Sequence, residues 1–230
     1  MTEYSPVNHP VAEMFGSIAP KYDLTNSILS FGTHHFWKRA LIKKVPIVPI
    51  DSALDLCSGT GDLLPLLKMR CARVVGADFC QPMLDVAEKR FNSDQKQFEL
   101  VQADAMNLPF ADESFDLITV SFGVRNFKDL SKGLSEINRV LKTGGTLLIL
   151  EFGQPKGLFG PIFRIYSDYI MPVIGGLITG NRSAYTYLPQ TSRNFPCGSE
   201  FETHLSNRGF SNISFKPLTF GVSYIYQAQK

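Results

Sequence analysis

Apolar positions along the chain change rhythm twice. Between residues 11 and 45 they recur at helical spacing. Val11, Met14, Phe15 and Ile18 form one stripe, which Pro20 is expected to stop, and Phe36, Trp37, Ala40 and Leu41 form a second. Pro46 and Pro49 then punctuate the chain. From residue 52 short apolar runs alternate with helical patterns. Strands are expected at 52–56, 73–77, 98–102 and 115–121, with helices at 63–69 and 82–91 between the first three. Pro65 and Pro82 suit first helical turns. Asp129 can cap a helix through Leu134, Ile137, Val140 and Leu141, which Gly144 and Gly145 are expected to end. A fully apolar strand at 146–152 implies that both faces of the sheet are covered.

The second change comes at residues 153–197, rich in Gly, Pro and aromatic side chains, which read as an insertion over the sheet. Ser199 and Glu202 form a capping-box pattern for a helix reaching Asn207, stopped by Gly209. Two strands, at 213–220 and 222–229, close the chain. Alternating strands and helices predict an α/β fold with one doubly wound, mostly parallel sheet. The expected layout is one domain over 1–230: a helical cap at 1–50, a core at 51–152, a lid insertion at 153–197, and a closing helix and strands at 198–230.

Composition narrows the function classes. With 44% apolar and 19% charged residues, the 230-residue chain reads as globular. A net charge of +2, with both signs spread along the chain, predicts no nucleic-acid partner. Cys57, Cys71, Cys80 and Cys197 form no C-x-x-C pair, and no histidines stand beside them at ligand spacing, so no metal is expected. The first ten residues lack a signal-peptide pattern, which predicts a cytoplasmic enzyme. The apolar stretch 158–178 contains Arg164, Asp168, Pro161 and Pro172, a poor pattern for a membrane span.

Candidate chemistry sits at the strand ends. Leu54-Asp55-Leu56-Cys57-Ser58-Gly59-Thr60-Gly61-Asp62 is a strand, a glycine turn and a helix start, where ligands bind in such sheets. Gly59 and Gly61 let backbone approach a ligand. A dinucleotide loop needs a third glycine where Leu64 stands, and Asp55 would repel a pyrophosphate. Asp55 suits an ammonium group, which S-adenosylmethionine carries. Asp78, ending the next strand, can accept both ribose hydroxyls, cap the following helix, or do both. Asp104 can meet an adenine amine. Arg125, in Ser121-Phe122-Gly123-Val124-Arg125-Asn126, stands at the expected mouth of the site.

With these residues in view, the chain resembles the bacterial menaquinone and ubiquinone C-methyltransferases, whose mitochondrial relatives act in ubiquinone synthesis. The resemblance runs through Ile18-Ala19-Pro20-Lys21-Tyr22-Asp23, Leu29-Ser30-Phe31-Gly32-Thr33-His34, Trp37-Lys38-Arg39, Phe122-Gly123-Val124-Arg125-Asn126, Arg139-Val140-Leu141-Lys142-Thr143-Gly144-Gly145, Glu151-Phe152, Ala184-Tyr185-Thr186-Tyr187-Leu188 and Phe195-Pro196. Ser58 and Val124 depart from it, where glycine or cysteine and leucine are commoner. It implies a Rossmann-like class I methyltransferase fold with S-adenosylmethionine held by Thr60, Asp78, Asp104, Ala105 and Ser121, and with Asp55, Gly59 and Gly61 shaping the loop. It further implies a prenylated quinol substrate methylated on a ring carbon.

Carbon methylation of a quinol needs an adjacent hydroxyl ionised, and a phenol ionises only near pH ~10 unaided. Arg125, Tyr22 and Asp62 are the candidates for accepting that proton or stabilising the phenolate, with Arg125 preferred as stabiliser because a guanidinium stays protonated. Phe159, Ile162, Phe163, Ile165, Tyr166, Ile170, Met171 and Ile174 offer an apolar path for the tail and peripheral contact with a membrane, or pack as an ordinary lid. The rival readings are a methyltransferase for another small substrate and a non-catalytic quinone or lipid carrier. Oligomeric state stays open, a homo-oligomer included.

Overall fold

In the computed structural model, which describes residues 10–92 and 97–230, seven strands form one sheet in the order β3-β2-β1-β4-β5-β7-β6. The strands are β1 (Ile50–Leu56), β2 (Cys71–Asp78), β3 (Glu99–Gln102), β4 (Phe115–Ser121), β5 (Leu141–Phe152), β6 (Ser211–Leu218) and β7 (Ser223–Gln229). The first five run parallel, and β7 enters antiparallel between β5 and β6. The order reverses between β1 and β4, which opens a crevice at their carboxyl ends.

Alternation along the central strands divides the core. Leu54, Leu56, Ile118, Val120 and Ile149 pack on one face with Leu134 and Ile137 of α6 (Leu130–Val140) and Phe201 and Leu205 of α10 (Ser199–Ser206). Ala53, Leu117, Leu148 and Leu150 pack on the other with Trp37 and Leu41 of α3 (Thr33–Ile42) and Leu64 and Leu67 of α4 (Leu64–Lys68). α5 (Gln81–Phe91) follows β2.

A third cluster lies over the carboxyl ends. Ile18 of α1 (Pro10–Ile18) and Leu29 of α2 (Tyr22–Leu29) meet Met171 of α8 (Met171–Thr179) and Tyr185 of α9 (Arg182–Asn194). The N-terminal helices and the insertion therefore form one cap. Polar tethers cross between them: Tyr166 Oη donates to Leu29 C=O at 2.6 Å, Lys21 Nζ to Ile178 C=O at 2.7 Å, and Asn181 Nδ2 to Ser17 Oγ at 2.8 Å. The insertion begins with α7 (Phe159–Ile165), which runs through a π-helical turn, Tyr166–Ile170, into α8. No helix among the described residues is long and apolar enough to cross a membrane.

Three sequence expectations are corrected. Pro20 does not stop the helical run; it sits in a 3₁₀ turn, Ala19–Lys21, that leads straight into α2. Asp129 does cap α6, accepting from Lys132 N–H at 3.0 Å, but the helix ends at Val140 with no glycine. Gly144, at φ 78°, instead forms a bulge early in β5, where the register with β4 shifts and Lys230 pairs with Gly144 and Gly145. The preference for a left-handed residue was real, but a bulge satisfies it as well as a helix end. Ser199 is the first residue of α10 and not its cap; Gly198 takes the cap position at φ 67° and donates its N–H to Tyr226 Oη at 2.8 Å. The unmarked N-terminus lies outside the described residues.

Close approach of α8 and α9 depends on Gly175, where an added Cβ would lie 2.3 Å from the Tyr185 ring. Gly175→Ala should lower unfolding free energy by about 1–3 kcal/mol through overpacking, although alanine alone favours a helix by about 1 kcal/mol. Thermal or denaturant unfolding checks this, and a stabilised variant would show that the cap helices have room to part.

Candidate active site

Two hollows meet at the crevice. A narrow cleft is lined by Gly59, Asp78, Phe79, Met83, Asp104, Ala105 and Met106, with Phe15 from α1 at its edge. A cavity of about 400 Å³ lies beneath the cap. Tyr22, Cys57, Gly59, Ser121 and Phe122 line both, so the two hollows adjoin.

The cleft follows from the ends of β1 to β3. Gly59, at φ 54°, has nothing within 4 Å of the position a Cβ would take, so its backbone faces open space. Asp78 is buried, with one carboxylate oxygen accepting from Gly59 N–H and the other from Cys80 N–H, each at 2.9 Å. Burial pushes its pKa up to about 6 against the pull of these amides. A carboxylate offers about four lone-pair sites, so both oxygens keep capacity for a pair of hydroxyls. Asp104 accepts from Met106 N–H at 3.0 Å beside Ala105. The Oγ atoms of Ser58 and Ser121 are buried without a partner among the described residues. The orphaned Ser121 hydroxyl, the open Gly59 and the acids Asp78 and Asp104 fit a nucleoside ligand such as S-adenosylmethionine.

The cavity has a polar wall and an apolar one. On the polar side, Asp55 pairs across the sheet with Thr119, whose hydroxyl donates to it at 2.7 Å. Burial raises Asp55 to about 7. Thr60 donates its hydroxyl to Asp23 at 2.6 Å, which ties α2 to the glycine loop. Asp62 receives Lys38 Nζ at 2.8 Å and Arg90 at 3.0 Å. Burial opposes its ionisation, but the two cations outweigh that and hold it below the usual carboxylate range. Burial drives Tyr22 up to about 12 although Arg125 pulls it down, so it stays a hydroxyl donor. His34 is buried in α3, with Nδ1 2.7 Å from Ser30 Oγ. Burial first, then the charges of Lys38 and His35, lower its pKa to about 4 against Asp62.

Arg125 sits at the base, in a 3₁₀ turn, Val124–Asn126, after β4. Its guanidinium pairs with Glu151 at 2.8 Å, with side-chain exposures of 3% and 0%. It also donates to Phe122 C=O and lies 5.0 Å from the Phe152 ring centre. Its Nε is buried without a partner among the described residues. Phe159, Ile162, Phe163, Tyr166, Met171 and Leu188 supply the apolar wall.

All the expected site residues except Gly61 line one hollow or the other. Gly61, at φ 84°, instead faces Leu64 and Phe91, where a Cβ would meet each at 3.0 Å, so it shapes the loop without facing either hollow. Of the expected tail path, Ile165 and Ile170 point outward and Ile174 packs within the cap. Sequence reasoning gave no role to His34, Lys38, Asp23 or Glu151, although each lies in a stretch that carried the resemblance. Among the described residues no cluster of His, Cys, Asp or Glu could hold a metal ion.

Comparison with known proteins agrees with this geometry. Residues 3–230 match the ubiE/COQ5 methyltransferase family. The chain is 44% identical over 216 residues to a demethylmenaquinone methyltransferase of Thermus thermophilus, covering 93% of this chain and 98% of that one. It is 38% identical over 231 residues to the ubiquinone/menaquinone biosynthesis C-methyltransferase UbiE of Bdellovibrio bacteriovorus, covering 99% and 98%. A solved SAM-dependent methyltransferase from Thermotoga maritima shares the fold at a TM-score of 0.69 and 17% identity, covering 95% of this chain and 98% of that one.

Asp55 generates a pH prediction. A carboxyl whose folded pKa lies above its unfolded value costs stability as pH rises between the two, here from about 4 to 7. Asp55→Asn should therefore stabilise the ligand-free protein at pH ~8, on the order of 1–3 kcal/mol, and change little at pH ~4. Denaturant unfolding at both values checks this. An equal effect at both would mean that Asp55 is not held protonated by burial.

Proposed function

The chain belongs to the ubiE/COQ5 methyltransferase family, and from that premise we propose that it moves the methyl group of S-adenosylmethionine to a ring carbon of a prenylated quinol, with demethylmenaquinol as substrate. The observation that carries this reading is the 400 Å³ cavity, polar beside the cofactor cleft and apolar beneath the cap. It suits an amphipathic quinol better than a small soluble substrate. A carrier that had lost catalysis would have no use for the intact cleft beside it. Cells lacking the gene should accumulate a quinone one methyl group short, and an unchanged quinone profile would overturn the reading.

When bound, S-adenosylmethionine supplies an electrophilic methyl group. Asp78 holds the ribose hydroxyls, Asp104 the adenine amine with Ala105 beside it, and Ser121 and Thr60 line the approach. Asp55 answers the ammonium group, which favours its ionised form. Gly59 and Gly61 set the loop. Arg125 aims its free Nε–H at the phenolate oxygen, and Tyr22 donates a second hydrogen bond. Asp62 anchors Lys38 and Arg90 and takes no proton, since its ion pairs stabilise the carboxylate. The cap excludes water, so these donors act in a low dielectric.

Arg125 has a second task, because its removal leaves Glu151 buried and unpaired. Arg125→Ala should destabilise the fold by about 3–5 kcal/mol. Arg125→Lys keeps a charge for Glu151 but has no Nε–H, and should lower turnover by about 10²–10³ with S-adenosylmethionine affinity nearly intact. Turnover of the lysine variant within a few-fold of the parent would remove Arg125 from the chemistry.

Peripheral membrane contact is part of the proposal. Leu158, Leu177, Phe31 and Phe220 are 94, 82, 80 and 78% exposed, beside exposed Ile162, Ile165, Tyr169 and Val173. Phe31 and Ile162 also line the cavity, so this apolar surface continues into it. A long-tailed quinol dissolves in lipid, and an apolar cavity mouth lets it enter from there. Replacing Ile165, Tyr169 and Leu177 together by Ser should reduce flotation with liposomes. It should slow turnover of a long-tailed quinol in vesicles and spare a tail-less one. Equal loss on both would make the segment an ordinary packed lid.

A further inference from the structure

The quinol reading leaves one proton without a destination. Among the described residues lining the polar wall, each obvious acceptor is engaged. Asp62 is held by Lys38 and Arg90. Asp55 faces the cavity, but Thr119 occupies one of its oxygens and the ammonium group of the reading above takes its charge. Tyr22 is a phenol with little tendency to ionise. Arg125 stays a cation. His34 differs from all of these. The residue is 5% exposed and lines the cavity, one ring nitrogen meets Ser30 Oγ at 2.7 Å, and no described residue bonds to Nε2.

We propose that His34 is the general base of the reaction, taking the quinol hydroxyl proton on Nε2 while Ser30 orients the ring. We assign the tautomer in which Nδ1–H donates to Ser30 Oγ, 2.7 Å away, so that Nε2 carries the lone pair. The substrate O–H bond breaks with its electron pair staying on oxygen, and the proton passes to Nε2. The ring carbon so enriched forms its bond to the transferred methyl as the methyl–sulfur bond breaks with its pair on sulfur. The hydrogen on that carbon then leaves as a proton to solvent, which restores the aromatic ring as a phenolate, and the imidazolium returns its proton to that oxygen. One proton is released overall.

The surroundings tune this base. Lys38 and His35 from its own helix disfavour the imidazolium, while Asp62 from the loop after β1 favours it. Asp55, Tyr22, Arg125 and Tyr166 line the cavity from the other elements around it. The net effect keeps the imidazole neutral in the working range, with its pKa lowered to about 4. A base so weak cannot hold the proton unaided; it serves because Arg125 stabilises the phenolate left behind. This inference rests on the quinol reading above.

The test compares the parent enzyme with His34→Gln, using S-adenosylmethionine and a short-tailed demethylmenaquinol from about pH 5.5 to 9. The variant should bind S-adenosylmethionine unchanged by calorimetry and lose about 100-fold or more in kcat near neutral pH. Its residual rate should climb with pH as the quinol ionises unaided, while the parent stays nearly flat. A chlorinated quinol with a more acidic hydroxyl should narrow the gap, and imidazole should partly restore His34→Ala. In the parent, with S-adenosylhomocysteine bound, adding the quinol should shift the His34 Nε2 resonance in ¹⁵N NMR. That measurement decides the matter if the variants do not fold. An active parent alongside a His34→Gln variant within a few-fold of it, or an Nε2 resonance unmoved by the quinol, overturns the proposal alone. A parent that binds S-adenosylmethionine but methylates no quinol overturns the substrate reading and this inference with it.

Discussion

The buried pairing of Arg125 with Glu151 is the interaction on which the site depends. Two charges removed from water are costly unless they are paired and hydrogen-bonded, and of the pair only Arg125 Nε is left without a partner among the described residues. Here Glu151 Oε1 accepts from Arg125 and from Phe152 N–H, each at 2.8 Å, and Oε2 accepts from Arg125 N–H at 3.2 Å. The pair locks the turn after β4 to the end of β5. That turn carries Phe122 at φ 58°, a strained value for a bulky residue, and its N–H bonds to Leu150 C=O at 2.7 Å. Phe122 then stacks near Phe152, ring centres 4.4 Å apart, with Trp37 against both. The boundary between cleft and cavity is therefore fixed by a charge pair beneath it and an aromatic cluster beside it.

A second constraint comes from above. The N-terminal helices and the insertion are far apart in sequence but share one apolar cluster, so each stabilises the other over the crevice. Arg90 extends the connection into the cofactor loop, bonding Asp23, Asp62 and the Thr60 carbonyl. A continuous hydrogen-bonded network therefore joins α2 to the glycine loop. Tyr22 of α2 reaches the cavity from this cap, and His34 reaches it from α3 beside the sheet.

Local signals made the sheet legible. Each central strand is a short β-rich run closed by glycine or aspartate, and that punctuation is written in consecutive residues. The positions of the strand-end acids were legible for the same reason, since a strand end is a position that sequence defines. Glycine was read less well, because a left-handed residue serves a helix end and a bulge equally, as Gly144 shows. Hidden altogether were pairings across long separations. Nothing local in Glu151 announces that it will meet Arg125, and nothing in His34 says that burial, with Lys38 and His35 beside it, will lower its pKa. These properties belong to the packed molecule, although the resemblance had marked the stretches that contain them.

This architecture directs a methyl group to a ring carbon of a quinol. Incubation with S-adenosylmethionine labelled with ¹³C at the methyl group, and with a short-tailed demethylmenaquinol, tests it most directly. The product should show a single labelled methyl bonded to an aromatic carbon in its ¹³C spectrum. A label found on oxygen, or recovered entirely in unreacted S-adenosylmethionine while the protein binds both ligands, would contradict it.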